Sequence, residues 1–157
     1  MSALAKLLAG NGHLVSGTDL KAGPGLDLLG SMGLEVAVGH HPDLAVKADL
    51  VVASSAVPDF DEEIRAAVVA ELPIWRRPEL LEAITAGTET IGATGTHGKT
   101  TTTALLISAL RAAGHDPSFV LGGDLVDVGT NGHVGTMPLL ILEADEAFRT
   151  FESLHLG

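Results

Sequence analysis

A short segment near the middle of the chain constrains the fold more than any other part of the sequence. Residues 92–100 read GATGTHGKT. They include the end of a predicted strand at residues 89–94, a tight loop at residues 95–98 and the start of a predicted long helix at residues 99–113. Glycines in such a turn let backbone N–H groups converge on phosphate oxygens, and the helix N-terminus adds free donors and partial positive charge. The segment therefore predicts an α/β fold with a phosphate-binding loop.

The side chains of this loop indicate how a nucleotide would be held. Lys99 can reach the β- and γ-phosphates, and the hydroxyl of Thr100 can ligate Mg²⁺. The strict phosphate-loop pattern requires glycine five positions before Gly98, where this chain has Ala93. The alternative is a tight strand–helix turn that carries a surface lysine, but the glycines and the flanking elements favour phosphate binding.

The rest of the chain alternates between short strands and helices. Further strands are predicted at residues 13–18, 34–38, 49–53, 73–75, 118–121 and 139–143. Further helices are predicted at residues 3–9, 24–32, 61–71 and 78–86. Ser2 is the predicted N-cap of the first helix. This alternation implies right-handed crossovers and a mostly parallel sheet. Because the pattern restarts after Gly87, we predict one domain at residues 1–86 and a second at residues 87–157.

Composition and charge narrow the possible partners. Hydrophobic residues make up 46% of the chain and aromatic residues 3%, so we expect a core of aliphatic side chains. The formal net charge of −11 argues against binding to nucleic acid or to an anionic membrane. The chain has no cysteine, which excludes thiolate metal sites, and we find no signal peptide and no apolar run of the roughly 20 residues that span a bilayer. A cytoplasmic protein is expected.

Five segments of the chain form a set of motifs: GTHGKTTT at 95–102, VSGTD at 15–19, SSAVP at 54–58, GHDPSFV at 114–120 followed by one further residue and two glycines, and EADE at 143–146. This set resembles the Mur ligases, and a histidine at position 97 is most similar to the L-alanine-adding branch of that family. They cover essentially the whole chain in the family's order. The resemblance implies a Rossmann-like, parallel-sheet UDP-binding domain that lacks its first strand, followed by the beginning of a P-loop ATPase domain that continues beyond Gly157.

The resemblance also implies an activity, in which ATP drives formation of an amide. The carboxylate of UDP-N-acetylmuramate would attack the γ-phosphate, and the amine of L-alanine would displace phosphate from the acyl phosphate. The implied cofactors are ATP and Mg²⁺, and no oligomeric state is implied. Two alternatives stay open: a recycling ligase that attaches a tripeptide to the same UDP-sugar, and a fragment that binds nucleotide without turnover. A nicotinamide dehydrogenase is disfavoured, because the chain lacks a Gly-x-Gly-x-x-Gly turn.

The family's roles carry over to the positions that match its motifs. The implied catalytic residues are Lys99, Glu143 and His97; the implied nucleotide-binding residues are Gly95, Thr96, His97, Gly98, Lys99, Thr100 and Thr101; the implied Mg²⁺ ligands are Thr100 and Glu143; and the implied UDP-sugar residues are Asp19, His40, Ser54, Ser55 and Asn131. Asp19 also lies where a doubly wound fold places an acid for a ribose, although it could instead cap a turn. After EADE the family usually has Ser-Asp, whereas this chain has Ala147-Phe148-Arg149.

Overall fold

The computed structural model describes residues 1–143, and the chain divides into two compact units. One unit is Leu14–Leu80, and the other joins Met1–His13 to the residues from Leu81 onward. Both units contain helices and parallel strand pairs, so the predicted α/β class is confirmed. The division into domains at residue 86 stays a prediction, since the first helix packs in the same unit as the phosphate loop.

The elements follow the predicted alternation. The helices are α1 Ser2–Gly10, α2 Pro24–Ser31, α3 Pro42–Ala45, α4 Glu62–Val69, α5 Arg77–Ala86 and α6 Lys99–Ala112. The strands are β1 Ser16–Asp19, β2 Glu35–Val38, β3 Val51–Ala53, β4 Ile74–Arg76, β5 Thr90–Ala93, β6 Pro117–Leu125, β7 Thr130–His133 and β8 Met137–Glu143. The sequence did not predict α3 or β7, and the other elements match predicted ones with shifted ends. In residues 1–143, no helix is both long and apolar enough to span a membrane.

The unit at Leu14–Leu80 contains two parallel pairs of strands in separate sheets, β1 with β2 and β3 with β4. Helix α4 packs against β3, β4 and α3. Its N-cap is Asp61, whose side chain accepts a hydrogen bond of 2.9 Å from the amide of Glu63. Such a cap satisfies one of the free donors at a helix start, which is why the helix begins here.

The other unit contains a four-stranded sheet in the order β5-β8-β6-β7. The first three strands are mutually parallel, and β7 is antiparallel to β6. Helix α6 packs against the three parallel strands, where Ile107, Phe119 and Ile141 are completely buried. The rest of this core cluster is leucine, so the expected aliphatic core is confirmed here with Phe119 as its one aromatic member.

Helix α1 is fixed to β7 by a buried polar network. Lys6 is only 5% exposed, and its Nζ donates to Asn131 Oδ1 at 2.8 Å and to Thr130 Oγ1 at 3.1 Å. Asn131 Nδ2 in turn donates to Ser2 Oγ at 3.1 Å. The predicted N-cap role of Ser2 is therefore wrong. Ser2 is the first residue of the helix, and Met1 is the N-cap residue. The hydroxyl of Ser2 accepts a hydrogen bond from the side-chain amide of Asn131.

Asp116 connects α6 to the end of the sheet that contains β7. Its carboxylate accepts from Arg111 Nη1 at 2.8 Å, lies 3.0 Å from His133 Nε2, and accepts from the amide of Thr136 at 3.2 Å. Desolvation raises the pKa of the Asp116 carboxyl, but the hydrogen bond and charge of His133, the Thr136 amide and the charge of Arg111 outweigh it and hold that pKa below its ordinary value of 3.8.

Asp116→Asn is expected to lower stability at neutral pH but not in strong acid. A folded-state pKa below the unfolded one means that the ionised carboxylate favours folding above the unfolded pKa, and that this contribution disappears as pH falls through the folded pKa. Thermal unfolding of the variant and the wild type, measured from pH 7 to about pH 2, should therefore converge in acid. Asp124→Asn, which removes an exposed carboxylate, serves as the control. A difference that persists unchanged in acid would contradict this role.

Candidate active site

Two glycines with left-handed backbone shape the loop between β5 and α6. Gly98, the N-cap residue of α6, has φ 80° and ψ 1°, and Gly95 has φ 139°. Side chains rarely tolerate such φ values, so glycine is required at both positions. Ala93, which breaks the strict phosphate-loop pattern, is the last residue of β5. A strand residue can carry a side chain, so the missing glycine leaves the turn intact.

The start of α6 presents the donors that a phosphate would need. The first hydrogen bond of the helix runs from the Thr102 amide to Gly98 O at 2.8 Å, so the preceding amides belong to the free first turn. Thr100 and Thr101 are exposed and line an open cleft of about 350 Å³ between α6 and the end of β6. Lys99 extends back over the loop, and its Nζ donates to Gly95 O. His97 and Thr96 are exposed in the loop.

Glu143 lies beside the point where β5 runs into the loop. It is the last residue of β8, and its Cα pairs with that of Ala93 in the parallel register. Its Oε1 is buried and accepts no hydrogen bond from any residue in the described range, 1–143. A buried carboxylate oxygen without a protein donor is costly unless a cation compensates it.

These residues fit a magnesium ion. Mg²⁺ prefers oxygen ligands and is usually held by one or two protein groups together with water and phosphate oxygens. Thr100 and Glu143 supply a hydroxyl at the start of α6 and a carboxylate at the end of β8. Within residues 1–143 no three histidine, aspartate or glutamate side chains converge, so a site built only from such side chains is not found in that range.

Asp19 is the last residue of β1, and His40 follows the end of the paired strand β2, so both lie at the same edge of this sheet. Asp19 Oδ1 accepts from the amide of Lys21 at 3.0 Å, which is the turn-cap geometry that the sequence left as the alternative. His40 Nδ1 lies 3.4 Å from Asp61 Oδ2. Both side chains therefore have local partners, and their contact with a UDP-sugar stays a prediction.

Glu63 is a polar residue at this edge that sequence reasoning missed. Its Oε2 accepts from Thr18 Oγ1 at 2.8 Å, and its Oε1 accepts from the amide of His41 at 2.7 Å. One carboxylate thus joins the ends of β1 and β2 to the first turn of α4. In the sequence, Glu63 is only an acidic residue near the start of a predicted helix. Acidic residues are common at helix starts, so its position alone does not indicate these contacts.

Ser54 and Ser55 follow β3, as predicted. Ser54 Oγ accepts from the Ala56 amide at 3.3 Å, and Ser55 is exposed. Arg76, at the end of the paired strand β4, donates to Ser54 O at 3.1 Å and to Val57 O at 2.7 Å. The arginine therefore holds the serine loop at the sheet edge through its backbone carbonyls.

The remaining predicted residues lie elsewhere. Both polar atoms of the Asn131 side chain are engaged in the unit that contains α1, Oδ1 by Lys6 and Nδ2 by Ser2. Its role at the sugar stays a prediction. Residues 144–149, which include the last three residues of the EADE motif and the departure that follows it, lie outside the described residues.

Comparison with known proteins agrees with these motifs. The sequence profile described as "Mur ligase family, catalytic domain" matches residues 1–89. A UDP-N-acetylmuramate–L-alanine ligase from Psychrobacter sp. (strain PRwf-1) is 41% identical over 155 residues, which are 99% of this chain and 33% of that protein. The chain thus spans about a third of the length of this curated relative.

Two solved structures share the fold. The UDP-N-acetylmuramate-alanine ligase of Thermotoga maritima has a TM-score of 0.88 and 31% identity over 94% of this chain and 35% of its own. The UDP-N-acetylmuramate:L-alanyl-gamma-D-glutamyl-meso-diaminopimelate ligase of Neisseria meningitides has a TM-score of 0.83 and 29% identity over 93% of this chain and 49% of its own. Because the family profile covers more than half of the sequence, the chain belongs to the Mur ligase family.

Proposed function

We propose that this chain is the UDP-sugar-binding region and the start of the ATP-binding domain of a ligase that joins L-alanine to UDP-N-acetylmuramate, a cytoplasmic step in peptidoglycan precursor synthesis. The observation that carries the proposal is the start of α6. There a left-handed Gly98 opens a helix with Lys99 folded over the loop and Thr100 exposed. The names of the relatives at 41% and 31% identity support L-alanine as the amine.

In the proposed reaction a carboxylate oxygen of UDP-N-acetylmuramate attacks the γ-phosphorus of ATP, and ADP leaves. The amine nitrogen of L-alanine then attacks the acyl carbon, phosphate leaves with the electron pair of the broken C–O bond, and the nitrogen loses a proton. Both steps need neutralisation of negative charge more than covalent participation by the protein. Lys99 would provide positive charge at the phosphates and the amides at the start of α6 would donate hydrogen bonds to them, with His97 exposed in the same loop.

Bound Mg²⁺ would add Lewis-acid neutralisation of the phosphate oxygens, with Thr100 and Glu143 as its protein ligands. Lys99 and the loop amides hold the phosphate tail in one orientation for the attacking carboxylate. Such positioning is itself a large part of the rate enhancement in this class of reaction.

The tripeptide-recycling ligase is the second candidate. The Neisseria structure, which aligns with 93% of this chain, is named as a ligase of UDP-N-acetylmuramate and L-alanyl-gamma-D-glutamyl-meso-diaminopimelate. Its identity of 29% is lower than the 41% and 31% of the two alanine ligases, which favours L-alanine. A nucleotide-binding module without turnover is the third candidate.

The test is phosphate release from ATP, measured with this chain and with the longer protein obtained by adding its flanking coding sequence. We expect release by the longer protein to require both UDP-N-acetylmuramate and L-alanine. Release with the tripeptide L-alanyl-γ-D-glutamyl-meso-diaminopimelate in place of L-alanine would support the recycling ligase. Nucleotide binding without release from any combination would contradict the ligase assignment and support the module.

A further inference from the structure

Gly122 lies next to the carboxylate of Glu143. Strands β6 and β8 are parallel with Val120 paired to Leu142, so Gly122 and Glu143 are neighbours at the same end of the sheet. A Cβ at Gly122 would lie 3.1 Å from Glu143 Oε2, 3.9 Å from its Cδ and 4.0 Å from its Oε1. All the nearest atoms that a side chain at position 122 would meet therefore belong to this carboxylate.

Gly123 provides the internal comparison. A Cβ at that position would meet no heavy atom within 4 Å. Neither glycine has positive φ, and both are exposed, so the backbone accepts alanine equally well at the two positions. A side chain at position 122 would meet the Glu143 carboxylate, whereas one at position 123 would enter open space at the cleft that Thr100 and Thr101 also line.

No hydrogen bond from residues 1–143 fixes the buried Oε1 of Glu143. On the Oε2 side the nearest neighbour across the sheet is Gly122, whose lack of a side chain leaves room for the carboxylate. A methyl group at position 122 would have to displace the carboxylate by about a few tenths of an ångström, because contacts near 3.1 Å are tighter than normal van der Waals packing.

We propose that Gly122 is a positioning residue for the proposed ligase, one whose missing side chain leaves the space in which the Glu143 carboxylate can ligate Mg²⁺. The inference rests on the proposed function, since it assumes that Glu143 serves the metal of the nucleotide site. Mg²⁺ requires near-ideal octahedral geometry with ligands close to 2.0–2.1 Å, so a small shift of one ligand weakens binding.

We call the ratio of the ATP affinity in Mg²⁺ to the ATP affinity in EDTA the Mg²⁺ gain. Gly122→Ala is expected to reduce this Mg²⁺ gain by about 10-fold, the lower end of the cost of disturbing the surroundings of a metal ligand. ATP affinity in EDTA and the melting temperature of the metal-free protein should not change. Calorimetric titration of the 157-residue chain with ATP, in Mg²⁺ and in EDTA, measures both affinities. Gly123→Ala should keep the wild-type Mg²⁺ gain, because its methyl group would not approach the Glu143 carboxylate.

Combining the change with Glu143→Gln separates positioning from a general effect on the sheet. If Gly122 acts through the carboxylate, Gly122→Ala should cause no further loss of the Mg²⁺ gain once Glu143 is glutamine. An additive loss, or an equal loss in Gly123→Ala, would overturn the inference. So would a normal Mg²⁺ gain in Gly122→Ala while Glu143→Gln has lost it, and that result would leave the proposed function standing. A wild-type chain that shows no ATP binding, or no Mg²⁺ gain, would also overturn the inference, whereas the proposed function is contradicted when the longer protein releases no phosphate.

Discussion

Lys99→Ala is expected to reduce ligation by about 10³-fold, the upper end of what removal of one charge-stabilising donor from a transition state costs. The reason is the position of the side chain at the first residue of α6, folded over the loop with its Nζ on Gly95 O. No other lysine or arginine lies in the loop or in the first turns of that helix. The measurement is substrate-dependent phosphate release by the longer protein that includes the flanking coding sequence.

Lys47→Ala is the matched control, because Lys47 is an exposed lysine in the other unit and follows a short helix. It removes the same charge and side chain without touching the loop, and we expect ligation within about 2-fold of the wild type, as for most surface substitutions. Near-normal activity of Lys99→Ala, with activity of Lys47→Ala also normal, would refute the assignment of the loop.

The strand–turn–helix shape of the loop before α6 was predictable because its determinants are local. A strand, a glycine turn and a helix start are adjacent in sequence, and the left-handed Gly98 occupies the position the pattern requires. The one mismatch, Ala93, is explained by its place at the end of β5, while Gly95, the second residue of the turn, takes the unusual φ of 139°. Pattern matching therefore tolerates a substitution where the backbone is extended and not where φ is positive.

The docking of α1 on β7 was not predictable because it depends on contacts between residues far apart in sequence. The residues of β7, Thr-Asn-Gly-His, show no apolar alternation, and the strand exists through its pairing with β6. Lys6 alone would be predicted on the surface, since lysine is seldom buried. Only the two acceptors at Thr130 and Asn131 explain its burial, and no local rule links them to α1.

The same limit applies to the acid at the end of β8. The family resemblance selected Glu143 as a metal ligand, but the sequence could not show that its Oε1 is buried without a donor in residues 1–143 or that Gly122 lies against its Oε2. Those facts come from the order β5-β8-β6, which places two glycine-containing segments on either side of β8. Sheet order is a tertiary property that periodicity does not contain.

Glu143→Gln is expected to reduce ligation by about 10²-fold or more and to remove most of the Mg²⁺ gain in ATP affinity. The reason is that Mg²⁺ prefers anionic oxygen ligands, and a weakly held ion neutralises less of the charge in the transition state, a contribution of several kcal/mol. Glutamine keeps the shape of the side chain, so the packing against Gly122 is preserved. The measurements are phosphate release by the longer protein and ATP titration in Mg²⁺ and in EDTA. Glu89→Gln, which removes an exposed carboxylate just before β5, is the control.

The stability of the metal-free protein distinguishes this explanation from simple unfolding. A carboxylate oxygen that is buried without a donor, as Oε1 of the half-buried Glu143 is, opposes folding. The neutral isostere should therefore melt at the same temperature as the wild type or higher. Loss of activity with preserved or raised melting temperature is the pattern of a residue kept for function at a cost in stability. A lower melting temperature in EDTA, with the Mg²⁺ gain intact, would instead show that Glu143 serves the fold and would remove it from the metal site.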